Sequence, residues 1–208
     1  MWRIVEVVFW LAFAVALMAS GPAAIMAALT LAFGSPERAP PEVLANLSLV
    51  SPAFPLVLGL VAFTRLKLAG ENVALLLGFS PATLVRDISM GLIFGAIGVA
   101  IALTCLTILR DYFGSPALPS LPLHALVYFA TLGAAVPGFC EELYYRGMLF
   151  KIAGATPAWL VSLLTSAGFA LWHVGTPLYL AHTFLPGLMF AALTLDTGRL
   201  APAILAHT

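Results

Sequence analysis

Charge is scarce in this sequence. Nine basic and nine acidic side chains make up 9% of 208 residues and cancel to a formal net charge of zero. Ordinary soluble domains carry about 25% charged residues, so a chain this poor in charge and 62% hydrophobic is not composed for water. Without a basic surplus there is no surface to displace phosphate counterions, which argues against a nucleic-acid partner. Cysteine is nearly absent as well. Cys105 and Cys140 both sit in apolar runs, which speaks against a disulfide framework or a cysteine-rich zinc site. Internal repeats and low-complexity tracts are missing, which weakens a transporter built on duplicated halves.

What is present is apolar sequence in long stretches. A membrane span needs about 20 predominantly apolar residues. Charge-poor runs cover Ile4 to Phe33, Leu47 to Phe63, Ile88 to Leu109, Leu121 to Phe150, Ala158 to Leu180 and Phe184 to Leu195, with a stub from Leu200 to Thr208. Gly34 to Pro41, Arg65 to Asp87 and Arg110 to Pro116 read as loops. The expected fold is all-α: a polytopic transmembrane bundle of about seven hydrophobic helices, forming one membrane domain over residues 1–208. Met1-Trp2-Arg3 and Met18-Ala19-Ser20-Gly21 superficially resemble a secretory leader, but Glu6 is out of place in one and apolar sequence continues to Phe33. A first membrane helix is the better reading, with Gly21-Pro22 marking a kink or break. Arg3, Arg65, Lys67, Arg86, Lys151 and Arg199 fall on one side of the bilayer if each run crosses once, and Arg38 and Arg110 on the other, which puts the N-terminus in the cytoplasm.

Cys140-Glu141-Glu142-Leu143-Tyr144-Tyr145-Arg146-Gly147 interrupts the fourth run with three ionisable groups. Charges inside a membrane segment are costly, and usually face a bundle interior or a wet cavity and mark function. The plain alternative is a helix that ends near Cys140, leaving the charges solvated. On a helix Glu142 and Arg146 stand at i and i+4, acid before base, which favours an ion pair. Arg146 can thus neutralise Glu142, while Glu141, about 100° around the helix, lacks that partner. Two carboxyls in unlike surroundings suit acid–base work. Pro137 removes a backbone donor and should bend the helix just before them.

His173 closes Phe169-Ala170-Leu171-Trp172-His173, and His207 ends Leu200 to His207. A lone histidine on an apolar face is usually a satisfied core group. At 1.5 Å per residue from an inner boundary near Ala153 to Thr156 and Arg199, Glu141 lies roughly 18 Å deep, His173 roughly 24 Å and His207 roughly 12 Å, all within a hydrocarbon core of about 30 Å. Three segments can therefore deliver proton-active groups to one place.

Glu141-Glu142-x-x-x-Arg146, Phe169-x-x-x-His173, Phe184-x-x-Gly187 and Thr197 to His207 together resemble the three ordered motifs of the CAAX protease and bacteriocin-processing (CPBP, or ABI) family of intramembrane glutamic endopeptidases. The resemblance covers residues 121–208, the family-like catalytic core. It implies a multi-pass protein of the plasma or inner membrane that hydrolyses a peptide bond of a lipidated (CAAX-type) or membrane-associated peptide, without a cofactor. It implies that Glu141 activates water with help from His173, that Glu142 and Arg146 hold charge and geometry, and that His207 stabilises the oxyanion. The family's asparagine four residues beyond the last histidine corresponds to position 211, past Thr208. Loss of one oxyanion donor costs about 10² to 10³ in rate, so activity would be impaired rather than abolished.

Three other readings use the same residues. Two histidines and a carboxylate can ligate zinc, although no His-Glu-x-x-His helix is present. A catalytically impaired member can serve as a membrane scaffold, regulator or bacteriocin self-immunity protein. Cys140 as a nucleophile fits less well than Cys140 as a packing residue. His124 and His182 read as interfacial groups, His182 also as part of an entry path, Trp172 as a wall of the cavity, and Asp196 as a helix end.

Overall fold

The computed structural model describes residues 2–40, 43, 52–113, 127–128, 131–173 and 177–208. All regular structure among them is helical. Helix α1 spans Trp2–Phe33, α2 Ala53–Leu68, α3 Val73–Leu77 and α4 Leu84–Phe113. Helix α5, Leu132–Glu142, continues through a π-helical stretch, Leu143–Met148, into α6, Leu149–Ala153. Helices α7, Ala158–Trp172, α8, Pro177–Thr197, and α9, Ala201–His207, complete the chain.

Two helices are long and apolar enough to cross a membrane, Trp2–Phe33 and the Leu84–Cys105 part of α4. On both, large apolar side chains point outward: Leu31 is 89% exposed and Leu92 69%. An apolar helix that is not buried by its own protein requires another apolar medium or partner. About seven hydrophobic helices were expected from the hydropathy runs, and these two are the ones long and apolar enough to cross among the described residues.

Several boundaries differ from the sequence expectation. Helix α1 runs through Gly21-Pro22 without a break. The supposed loop from Arg65 to Asp87 contains the end of α2, all of α3 and the first turn of α4. Arg110 to Phe113 belong to α4 rather than to a loop. The run from Ala158 to Leu180 is two helices: α7 is capped at His173, and Pro177 opens α8, which then carries His182 and Phe184 in one helix. Hydropathy cannot register such a division, because the sequence from 158 to 180 is free of acidic and basic side chains apart from histidine. Proline marks it, since its missing N–H and fixed φ suit the first helical position and disfavour helix in the residue before. The starts of the second and fourth runs, the Gly114 to Pro116 loop and His124 lie outside the described residues.

Packing places the π-helical stretch at the centre. Helix α2 lies against α5 and this stretch, α1 lies against α6 and α7, and α9 is held among α4, α5 and α8. The core is built from Leu58, Leu66, Tyr144, Tyr145, Phe169, Phe190 and Ile204, among others. Tyr144 is satisfied there by donating its hydroxyl to the Trp10 carbonyl at 2.6 Å. Gly198, with φ of 67°, makes the turn from α8 into α9, a conformation that a Cβ would strain.

Candidate active site

The charged interruption is buried. Glu141 is 2% exposed, Glu142 0% and Arg146 1%, so a helix ending near Cys140 with solvated charges does not describe this chain. Helix α5 delivers both acids on its last turn, and Pro137 sits inside it. The backbone then widens: the Leu149 N–H donates to the Tyr144 carbonyl, five residues back. π-Helical turns interrupt α-helices mostly where function demands an unusual placement of side chains.

Glu142 is the hub of the charge network. Its Oε1 accepts from Arg146 Nη1 at 2.9 Å and lies 2.9 Å from His207 Nδ1. Arg146 also donates through Nη2 to the Gly187 carbonyl on α8 at 2.7 Å. Its guanidinium carbon lies 4.8 Å from the Phe169 ring centre and 5.6 Å from that of Phe190. Burying a charge costs several kcal/mol unless partners replace water, and here a carboxylate, a carbonyl and two aromatic faces do so. Glu141 has other partners. Trp172 Nε1–H donates to its Oε1 at 3.2 Å, while its Oε2 has no hydrogen-bond partner among the described residues and lies 3.8 Å from His207 Nε2.

The two histidines present different atoms. A carboxylate only accepts, so the bond between His207 and ionised Glu142 makes Nδ1 the donor and turns Nε2 toward Glu141. His173 Nδ1 lies 2.8 Å from the Phe169 carbonyl, again an acceptor only, which leaves Nε2 for the cavity. Phe169 stands beside both rings, at 4.6 Å from His173 and 5.4 Å from His207 between ring centres, and Phe190 stacks on His207 at 4.9 Å. His173 is within electrostatic reach of Glu141, His207 and His182. A cavity of about 350 Å³ opens here, lined by His173, His182 and His207 together with Gly98 and Ala102 of α4 and Pro186 of α8.

All five residues singled out from the motifs, Glu141, Glu142, Arg146, His173 and His207, are thus brought into one neighbourhood by α5, the π-helical stretch, α7 and α9. His182 lines the same cavity, and Trp172 contacts Glu141 directly. Asp196 lies near the end of α8 and pairs with Arg86 at 3.4 Å, away from the cluster. Cys140 packs against α2, where a Cβ at Gly59 would come within 2.6 Å of its Sγ. Sequence reading missed Phe190, which stacks on His207, and Asp87, which had been assigned to a loop. Phe190 sits in an ordinary apolar run, and the charged partner of Asp87 is 112 residues away, with only Thr83 at four residues as a local neighbour.

Among the described residues, no group of three or more histidine, cysteine, aspartate or glutamate side chains is arranged to hold a metal ion. Residues 122–208 match the family described as Type II CAAX prenyl endopeptidase Rce1-like. No curated protein and no solved structure matches the chain.

Proposed function

We propose, from the membership of residues 122–208 in the Rce1-like CAAX prenyl endopeptidase family, that this chain is an intramembrane endopeptidase acting on a lipidated or membrane-associated peptide. Residues 1–208 form one membrane domain in this reading, with 121–208 as its catalytic core. The observation that carries it is the pairing of Glu141 Oε2, buried and without a hydrogen-bond partner among the described residues, with His207 Nε2 at 3.8 Å. A gap of that size between two polar atoms suits a bridging water.

Glu141 is the general base. A proton of the bridging water passes to Glu141 Oε2, and the water oxygen bonds to the peptide carbonyl carbon as the carbonyl electrons move onto oxygen. His173 Nε2 accepts a hydrogen bond from the same water and orients it. His207 holds the developing oxyanion through Nε2–H. With Nδ1–H already given to Glu142, this requires the imidazolium, and the Glu142 carboxylate is its counter-ion. Collapse of the intermediate breaks the C–N bond, and the proton held by Glu141 passes to the departing amine nitrogen. Arg146 pairs with Glu142 and aims it, and Trp172 fixes the rotamer of Glu141.

The test uses the purified chain in lipid nanodiscs with an internally quenched farnesylated peptide and an unprenylated membrane-inserted peptide as reporters. Glu141→Gln and His173→Ala are expected to abolish cleavage while insertion and thermal unfolding stay close to wild type. Normal cleavage by either variant sinks the proposal. Stoichiometric zinc and chelator-sensitive cleavage would move the chemistry to a metal.

A further inference from the structure

Asp87 is 1% exposed at the start of α4, far along the chain from the motif residues. Arg199 grips it with both ends of its guanidinium, Nη1 to Oδ2 and Nη2 to Oδ1, each at 2.8 Å. Thr83 donates its hydroxyl to Asp87 Oδ2 at 2.9 Å and accepts from Arg199 Nη1, closing a three-residue knot. Immediately after Arg199, the Leu200 N–H donates to the Leu76 carbonyl at 3.1 Å, and α9 begins. The far end of α9 carries His207, bonded to Glu142.

The same face of α4 supports the rest of α9. At four-residue steps after Asp87 come Gly91 and Gly95, which share one side of the helix. A Cβ on Gly91 would meet the Leu205 side chain, and one on Gly95 would come within 3.1 Å of the Ala206 carbonyl oxygen. The next residue is His207. Helix α9 is thus pinned at its first turn by Arg199 and laid along α4 until the imidazole emerges.

We infer that Asp87, acting through Arg199, is a positioning residue for His207 and so for the Glu141–His207 pair. A pair of well-packed apolar side chains would hold two helices together at least as well as a buried ion pair. What the forked arginine–carboxylate contact adds is a fixed distance and angle. Helix α9 is a rigid rod of about 10 Å, so a shift at Arg199 reaches the ring. The catalytic consequence rests on the proteolytic reading above, whereas the geometric one does not.

The experiment compares Asp87→Asn and Arg199→Lys with wild type in nanodiscs, reading cleavage of the farnesylated reporter and the ¹⁵N spectrum of histidine-labelled protein. The His207 signal is identified by its loss in His207→Gln. Both variants are expected to move that signal and to lower kcat about 10²-fold, the size of effect that follows misplacement of a catalytic group by about 1 Å, with KM nearly unchanged. Arg199→Lys retains the charge pair and loses only the fork, so it carries the test if Asp87→Asn does not fold. A His207 signal that stays in place overturns the inference, even if cleavage falls. A shifted signal in a protein whose wild type cuts neither reporter supports the positioning and counts against the proteolytic reading alone.

Discussion

Helix α4 and the path from Leu132 to Ala153 are both drawn from apolar runs, yet they meet opposite environments. Along α4, Leu92, Ile93, Val99 and Leu103 are exposed. Along the other path Glu141, Glu142, Tyr144, Tyr145 and Arg146 are buried. Water-soluble packing would reverse both assignments. The pair therefore shows a chain that leaves large apolar side chains outside and buries its charged ones inside, with charge tolerated only where a partner meets it.

Breaking the interior side of this comparison should have the largest effect. Arg146→Met removes the guanidinium from the buried Glu142 carboxylate and leaves it only His207, and removal of one partner of a buried pair typically costs about 3–5 kcal/mol. Thermal unfolding in detergent micelles measures it, and a loss no larger than that of a surface pair would mean that this ion pair does not hold the interior together. The exterior side is tested by Leu92→Lys on α4. A lysine near the middle of a span costs about 2.5–3.5 kcal/mol on insertion, and glycosylation mapping of α4 should show a smaller inserted fraction. Unchanged insertion would remove the contrast, because the α4 surface would then not face lipid. The smallest effect is expected where neither region is touched. Glu6 pairs with Arg65 at 2.8 Å at the partly exposed ends of α1 and α2, and Glu6→Gln should change stability by about 0–1 kcal/mol. A larger loss would place that ion pair in a drier setting than its exposure indicates.

How much of this was legible beforehand depends on the range of the interaction. The Glu142–Arg146 pair could be read directly, because four residues on a helix face is a distance that sequence spacing encodes. The convergence of Glu141, His173 and His207 came from motif resemblance and a depth estimate too coarse to give contacts. The depths of roughly 12 to 24 Å carried no information about rotation around each helix axis. Rotation is what turns His207 Nδ1 to Glu142 and Nε2 to Glu141. Helix limits failed where one charge-poor run holds two helices, as after His173, and where a short polar stretch remained helical, as at Asp87.

Composition and run length, acting alone, determined that this chain is helical and apolar on its outside, because both are sums over residues that need no knowledge of neighbours. Motif spacing singled out the five polar residues of the candidate site. The tertiary structure decided which imidazole nitrogen of His207 faces Glu142 and which faces Glu141, and that Asp87 meets Arg199 at the entry to the helix bearing His207. Those are contacts between residues 65 to 112 positions apart in the chain. Only the packing of helices on one another sets such distances.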